Sequence, residues 1–180
     1  MTAAFWDGVA DRYAARPLRD PATWDAALAC VQAALPARGC VLELGCGTGL
    51  VAERLCGSVA AYRATDPSEA MLRHARQRAG CVGVQFDQAD AETALSGAHV
   101  DAVVAVSLLH LLDDRSRTLR AIRAALPKGG VFVSRTPCLG GRWWLRPVLW
   151  ALQRRGVVPP RFAFLRAGGL AAEIREAGFD

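Results

Sequence analysis

Apolar positions along this chain follow two periods, and the change from one to the other outlines a fold. "AFWDGVADRYAARP" (4–17) has helical spacing and stops at Pro17. "DPATWDAALACVQAALP" (20–36) is a second helix, with Asp20 as its N-cap, Pro21 in the first helical position and an end before Pro36. Beyond that point short apolar runs without polar alternation take turns with amphipathic stretches. "CVLEL" (40–44), "VAAYRAT" (59–65), "VGVQFD" (82–87), "VDAVVAVS" (100–107) and "GGVFVSRT" (129–136) read as buried strands. "GLVAERLC" (49–56), "PSEAMLRHARQRA" (67–79, with Ser68 near its cap) and "DDRSRTLRAIRAALP" (113–127) read as the helices between them. Strands that are apolar on both faces and separated by helices predict an α/β fold, a doubly wound, mostly parallel sheet covered on both sides. In such sheets ligands sit beyond the carboxyl ends of the strands, where the strand order reverses.

One of those strand ends is unusual. In "VLELGCGTGL" (41–50) an acid, Glu43, precedes Gly45, Gly47 and Gly49. Glycines free the backbone for sharp turns and bring a ligand against the main chain, and the following helix presents unpaired N–H groups. A dinucleotide fingerprint would be G-x-G-x-x-G. Here the glycines run G-x-G-x-G, with Leu50 where that motif wants its third glycine. A carboxylate at Glu43 disfavours a pyrophosphate and favours a cationic amino group. Asp66 ends the second strand, where a carboxylate can accept both hydroxyls of a ribose; ahead of Pro67 it can equally cap a helix. Asp90 in "FDQADAE" closes the third strand, either facing an adenine amino group or as an ordinary loop acid. A nucleoside ligand carrying positive charge satisfies all three acids.

The segments "VLELGCGTG", "ATDPSEAML", "FDQAD", "VDAVVAVSLLHLL" and "LPKGGVFVSRTP" stand in the order and spacing of class I S-adenosylmethionine-dependent methyltransferases, and the chain resembles the small-molecule members of that family across 38–138. The resemblance implies a Rossmann-like methyltransferase fold that binds S-adenosylmethionine, with S-adenosylhomocysteine as product and no metal. It implies that Glu43, Gly45, Cys46, Gly47 and Thr48 hold the methionine part. Asp66 and Pro67 would hold the ribose, with Met71 packed on the base and Asp90 and Ala91 near the adenine. Ser107 and Leu108 would line the methyl-transfer side, and Tyr13 on an N-terminal lid would reach the methionine carboxylate. Met71 and Tyr13 also suit plain helix packing. His110, just past the fourth strand, is the candidate general base or, alternatively, a packing histidine; His74 and His99 have no better claim. The family's sheet has seven strands, and this sequence supplies no sixth or seventh, which leaves the fifth as an exposed edge open to pairing or marks a shortened chain.

The expected organisation is one domain over 1–180. It comprises lid helices (1–36), a cofactor core (38–138), an aromatic and basic acceptor-side segment (139–167) and a final helix (168–180). The acceptor-side segment contains Trp143, Trp144, Leu145, Val148, Leu149, Trp150 and Leu152 among Arg142, Arg146, Arg154 and Arg155, with Pro147 to bend or begin a helix. That composition suits an apolar small-molecule acceptor, transient contact with a membrane surface, or a lid helix packed on the core under arginine stems.

Charge sharpens this segment. Residues 1–114 carry nine arginines against fourteen acids, a balance of −5, whereas 115–180 carry thirteen Lys or Arg against three acids, a balance of +10. The basic third suits an anionic substrate, a lipid headgroup surface or nucleic acid, and equally an arginine-rich solvated face. Nucleic acid is disfavoured because "SLLH" stands where base-amino methyltransferases carry an Asn/Asp-Pro-Pro-aromatic motif, and no aromatic ladder interleaves the basic residues. The six cysteines lack paired spacing and predict reduced core residues. No run is apolar and long enough to span a bilayer, and the N-terminus lacks signal-peptide features, so a cytoplasmic protein is expected. The competing functions are a non-catalytic adenosyl-binding domain that contacts a partner or membrane, and a nicotinamide oxidoreductase, disfavoured by Leu50 and Glu43.

Overall fold

The computed structural model describes residues 3–78 and 80–180. Two helices lead, α1 (Ala3–Ala14) and α2 (Pro21–Ala34), before an alternation of β1 (Cys40–Leu44), α3 (Leu50–Leu55), β2 (Ala61–Asp66), α4 (Glu69–Arg76), β3 (Gln85–Gln88), α5 (Ala91–Leu95), β4 (Ala102–Val106), α6 (Arg115–Ala125) and β5 (Val131–Arg135). Two further helices, α7 (Arg146–Arg154) and α8 (Ala167–Glu176), follow the sheet. Local chemistry starts the helices where the sequence signals it. Asp20, Ser68 and Asp114 each accept the backbone N–H three residues on, and Pro21 begins α2. Pro147 likewise begins α7 rather than bending it. The predicted last residue of α4, Ala79, lies outside the described residues. The five-residue α5, capped by Asp90, is too short to show a helical period in the sequence.

All five strands are parallel, in the order β3-β2-β1-β4-β5. The chain therefore winds outward from β1 in one direction and then, through β4, in the other. Strand alternation divides the core in two. Val41, Tyr62, Ala64, Ala102 and Val104 face α2 and α3, packing on Leu28, Val31 and Leu55. Leu42, Leu44, Val103 and Ala105 face α5, α6 and α8, packing on Leu95, Leu119, Ile122 and Leu170. Each fully buried Val, Leu or Ile among them stabilises by about 1.5–3 kcal/mol. β5 is a half-buried sheet edge, and its Phe132 packs on Phe179 at a centroid distance of 5.2 Å.

One expectation is corrected here. Cys46 and Cys81 are buried and Cys56 half-buried, but Cys30, Cys40 and Cys138 are exposed, all of them free thiols. Cys30 lies on the outer side of α2 and Cys40 opens β1 at the surface, so an apolar neighbourhood in sequence did not mean burial in space.

Candidate functional site

The β1–β4 split opens a cleft at the carboxyl end of the sheet, with about 770 Å³ of empty space counted out through its open mouth. Its floor is the loop after β1. Gly45, Gly47 and Gly49 all take positive φ (67°, 53° and 78°), but for different reasons. A Cβ at Gly45 would stand 2.9 Å from Leu108 Cδ1, and one at Gly49 would stand 2.9 Å from the Ala75 Cβ. Those two glycines admit neighbouring protein. A Cβ at Gly47 meets nothing within 4 Å, so this is where the main chain is bare toward open space. The loop is tied down from both sides: Cys46 N donates to Thr65 O at 2.9 Å, and Arg78 Nε donates to Thr48 O at 2.5 Å.

Two acids are buried in the cleft wall. Asp66 is 5 % exposed, and its two oxygens accept the N–H groups of Gly47 and Ser68, each at 2.9 Å. Burial still raises its pKa against those two bonds. Glu43, 1 % exposed, accepts the Tyr62 hydroxyl on Oε2 at 2.9 Å. Burial pushes Glu43 up to about 8; the Tyr62 bond works against that rise, and the nearby Asp66 charge adds to it. No guanidinium, ammonium or imidazolium of the described residues stands against either acid. Burying carboxyls without a cation is costly unless a ligand supplies one.

α1 closes over this floor. Asp7 accepts the Ser68 hydroxyl at 2.6 Å and Ala70 N at 3.2 Å, and His74 Nε2 meets Asp11 at 2.8 Å, so α1 is fixed to the start and flank of α4. Trp6 and Tyr13, stacked edge-on at 5.9 Å, line the cleft from above.

The structure gathers Glu43, Gly45, Cys46, Gly47, Thr48, Asp66, Met71, Ser107, Leu108 and Tyr13 around this one cleft. Ser107 takes φ 57°, the only described non-glycine residue with positive φ, a local strain at the β4 end. Pro67, Asp90 and Ala91 line a second cavity of about 690 Å³, which shares Gly45 and Leu108 with the first. Asp90 caps α5 by accepting Thr93 N at 2.8 Å, and that bond holds its pKa low.

His110 is placed elsewhere. It is 6 % exposed and lines neither cavity. Its ring packs on Phe162 at 4.6 Å, its carbonyl accepts Ala163 N at 2.8 Å, and burial pushes its pKa down to about 4. The expectation of a general base on the rim finds no support in this placement; His110 packs under the segment that precedes α8. Among the described residues no group of three or more His, Cys, Asp or Glu is arranged to hold a metal ion. Sequence reasoning missed Asp7, Tyr62, Trp24, Leu18 and Leu111. Tyr62 carries a signal only once register is known: it pairs with Val41, which puts it on the Glu43 face, one pleat away.

Comparisons with known proteins bear on the fold and the family. Over 109 residues the chain is 35% identical to an uncharacterized methyltransferase of Mycobacterium tuberculosis (strain ATCC 25618 / H37Rv), covering 58% of this chain and 55% of that protein. The chain thus spans about half the length of the curated relatives it matches. Among solved structures, an S-adenosylmethionine-dependent methyltransferase of Thermotoga maritima superposes with a TM-score of 0.75 at 23% identity, covering 98% of this chain and 80% of that one, a likeness of fold. Another from Mesorhizobium loti gives a TM-score of 0.64 at 25% identity over 84% of this chain and 80% of its own. Residues 42–134, just over half the chain, match the family described as a methyltransferase domain. That match covers more than half of the chain, and the chain belongs to the methyltransferase domain family.

Proposed function

We propose that this domain binds S-adenosylmethionine in the β1–β4 cleft and transfers its methyl group to a small apolar acceptor. The observation that carries this reading is the pair Glu43 and Asp66: two buried acids on a cleft, with no cation among the described residues opposite them. A ligand with an ammonium and a sulfonium supplies that charge, and a pyrophosphate would worsen the imbalance. When bound, S-adenosylmethionine supplies a methyl group on a sulfonium that leaves as a neutral thioether by in-line displacement.

The chain's own work is then binding, alignment and exclusion of water. Gly47 offers bare main chain, Glu43 sets the charge preference, and Asp66 accepts from the ribose with lone pairs left over from its two backbone bonds. Asp90 and Ala91, on the adjoining cavity, take the base end. Trp6, Leu18, Trp24, Val106 and Leu111 make the remaining wall apolar, which favours an apolar acceptor and keeps water out; alignment of this kind is worth several kcal/mol of barrier. Residues 139–167 form the acceptor side in this reading, and no side chain is assigned as base.

The direct assay is formation of S-adenosylhomocysteine from S-adenosylmethionine over a panel of apolar hydroxyl, amine and carbon acceptors. Acceptor-dependent turnover that disappears in Asp66→Ala is expected. Tight binding with no turnover on any acceptor would instead favour a non-catalytic binding domain.

A further inference from the structure

The segment after β5 also carries a row of exposed residues that line neither the cleft nor the slot beside it. The helix α7 has no buried residue. Its half-buried positions, Leu149, Leu152 and Gln153, with Leu145 just before it, face the protein, and two further rows face out. One runs Trp144, Val148, Ala151, Arg155 and the other Trp143, Pro147, Trp150, Arg154. Trp143 is 74 % exposed, Trp144 58 %, Trp150 59 % and Val148 53 %. So many exposed large apolar side chains on one helix mark an interaction site rather than scattered surface residues.

Charge states what covers it. Residues 139–167 hold six arginines and no acid. Arg161 pairs with Asp113, and Arg146 and Arg154 lie over the rings of Phe164 and Trp150 at 5.3 and 5.2 Å. Arg142, Arg155 and Arg166 have no ion pair among the described residues. An occupant must then be anionic over the whole face yet apolar just beneath its charged layer. Nucleic acid meets the first condition only, and an acidic protein would rarely present it evenly. An anionic bilayer meets both: indoles and aliphatic side chains settle at the headgroup–acyl boundary while arginines stay among phosphates.

We propose that the outward face of α7, with the Trp143–Leu145 turn before it, docks on an anionic lipid bilayer. The docking is independent of the methyl-transfer reading, but its use for catalysis rests on it. Gln153 Nε2 donates to the carbonyls of Pro159 and Pro160, each at 3.1 Å, fixing α7 to the strap that follows it. That strap, through Val157, Val158 and Pro159, walls a slot of about 460 Å³ against α1. The slot shares Trp6 and Tyr13 with the cofactor cleft, and Arg12 and Arg16 stand on its rim. The strap therefore links the docking helix to a wall that adjoins the cleft.

Flotation with vesicles of phosphatidylcholine alone, and of phosphatidylcholine with phosphatidylglycerol, tests the docking. The protein should float with the anionic vesicles only, and salt should weaken it. Trp143→Ser with Trp144→Ser and Trp150→Ser should abolish flotation. Arg142→Gln with Arg155→Gln, a milder change at exposed positions, should weaken partition about 25-fold, about fivefold for each arginine. Both variants should keep the parent's affinity for S-adenosylhomocysteine, which separates loss of docking from loss of fold. Absence of flotation, equal flotation with neutral vesicles, or tryptophan-dependent self-association without vesicle binding would overturn the proposal. Flotation by a protein that fails to bind S-adenosylhomocysteine would uphold docking and sink the methyl-transfer reading.

Discussion

Tyr62 donates its hydroxyl to Oε2 of Glu43 at 2.9 Å inside a wall where both side chains are buried. That bond is the one influence that lowers the Glu43 pKa, which burial and the Asp66 charge hold at about 8. At neutral pH the free protein therefore keeps a proton on Glu43, and a cationic ligand should expel it.

Binding of S-adenosylhomocysteine at pH 7 should release a proton, read by calorimetry in buffers of different ionisation enthalpy, and affinity should climb as pH rises through 8. Tyr62→Phe should move that midpoint upward. Proton release equal in wild type and Glu43→Gln would contradict this assignment.

Stability should run the opposite way. The folded pKa of Glu43 lies above its ordinary 4.5, so the folded state holds a proton that the unfolded chain has lost between pH 4.5 and about 8. Its stability contribution is full below 4.5 and gone above 8, a fall of several kcal/mol at most. Glu43→Gln, which removes the buried charge, should therefore melt above wild type at pH 9 while binding S-adenosylhomocysteine at least about tenfold more weakly, a loss of about 1.4 kcal/mol. A lower melting temperature for the variant at pH 9 would count against the buried-acid account.

The glycine loop separates packing from binding. Gly49→Ala puts a Cβ 2.9 Å from the Ala75 Cβ at φ 78° and should destabilise the domain by about 2 kcal/mol or more. Gly47→Ala meets no protein atom within 4 Å, so its folding cost should stay near the ~1–2 kcal/mol of a left-handed alanine. Its cofactor affinity should nevertheless fall further than that of any folded Gly49 variant. Denaturant unfolding and ligand titration on the two variants check the ordering.

Asp7 should act on the lid alone. Removing its bonds to the Ser68 hydroxyl and Ala70 N–H with Asp7→Ala should cost about 1–2 kcal/mol. Hydrogen exchange should quicken in α1 while the sheet amides of β1 and β4 stay protected. Uniform quickening would mean that α1 is part of the cooperative core.

Much of this was legible in the sequence because it depends on local chemistry. Strand and helix periods, Asp20 with Pro21, Ser68 ahead of α4 and the G-x-G-x-G turn after Glu43 are all written in adjacent residues. What was hidden depends on register and tertiary distance. Tyr62 meets Glu43 only because β1 and β2 pair Val41 with Tyr62. Asp7 reaches Ser68 across 61 positions. His110 follows β4 by four residues, yet the turn at Leu109–Leu111 buries it against Phe162. Three cysteines with apolar neighbours in sequence lie at the surface because helix faces and strand ends, not runs of composition, decide exposure.

The central claim is that the β1–β4 cleft holds an adenosyl ligand through Asp66 and the loop at Gly47. Calorimetric titration with S-adenosylhomocysteine, on wild type and Asp66→Ala, with NADH as competitor, tests it most directly. Micromolar binding that NADH does not displace and that the variant loses by about a hundredfold is the expected result. A folded wild type that ignores S-adenosylhomocysteine, or a variant that binds as well as the parent, would contradict it.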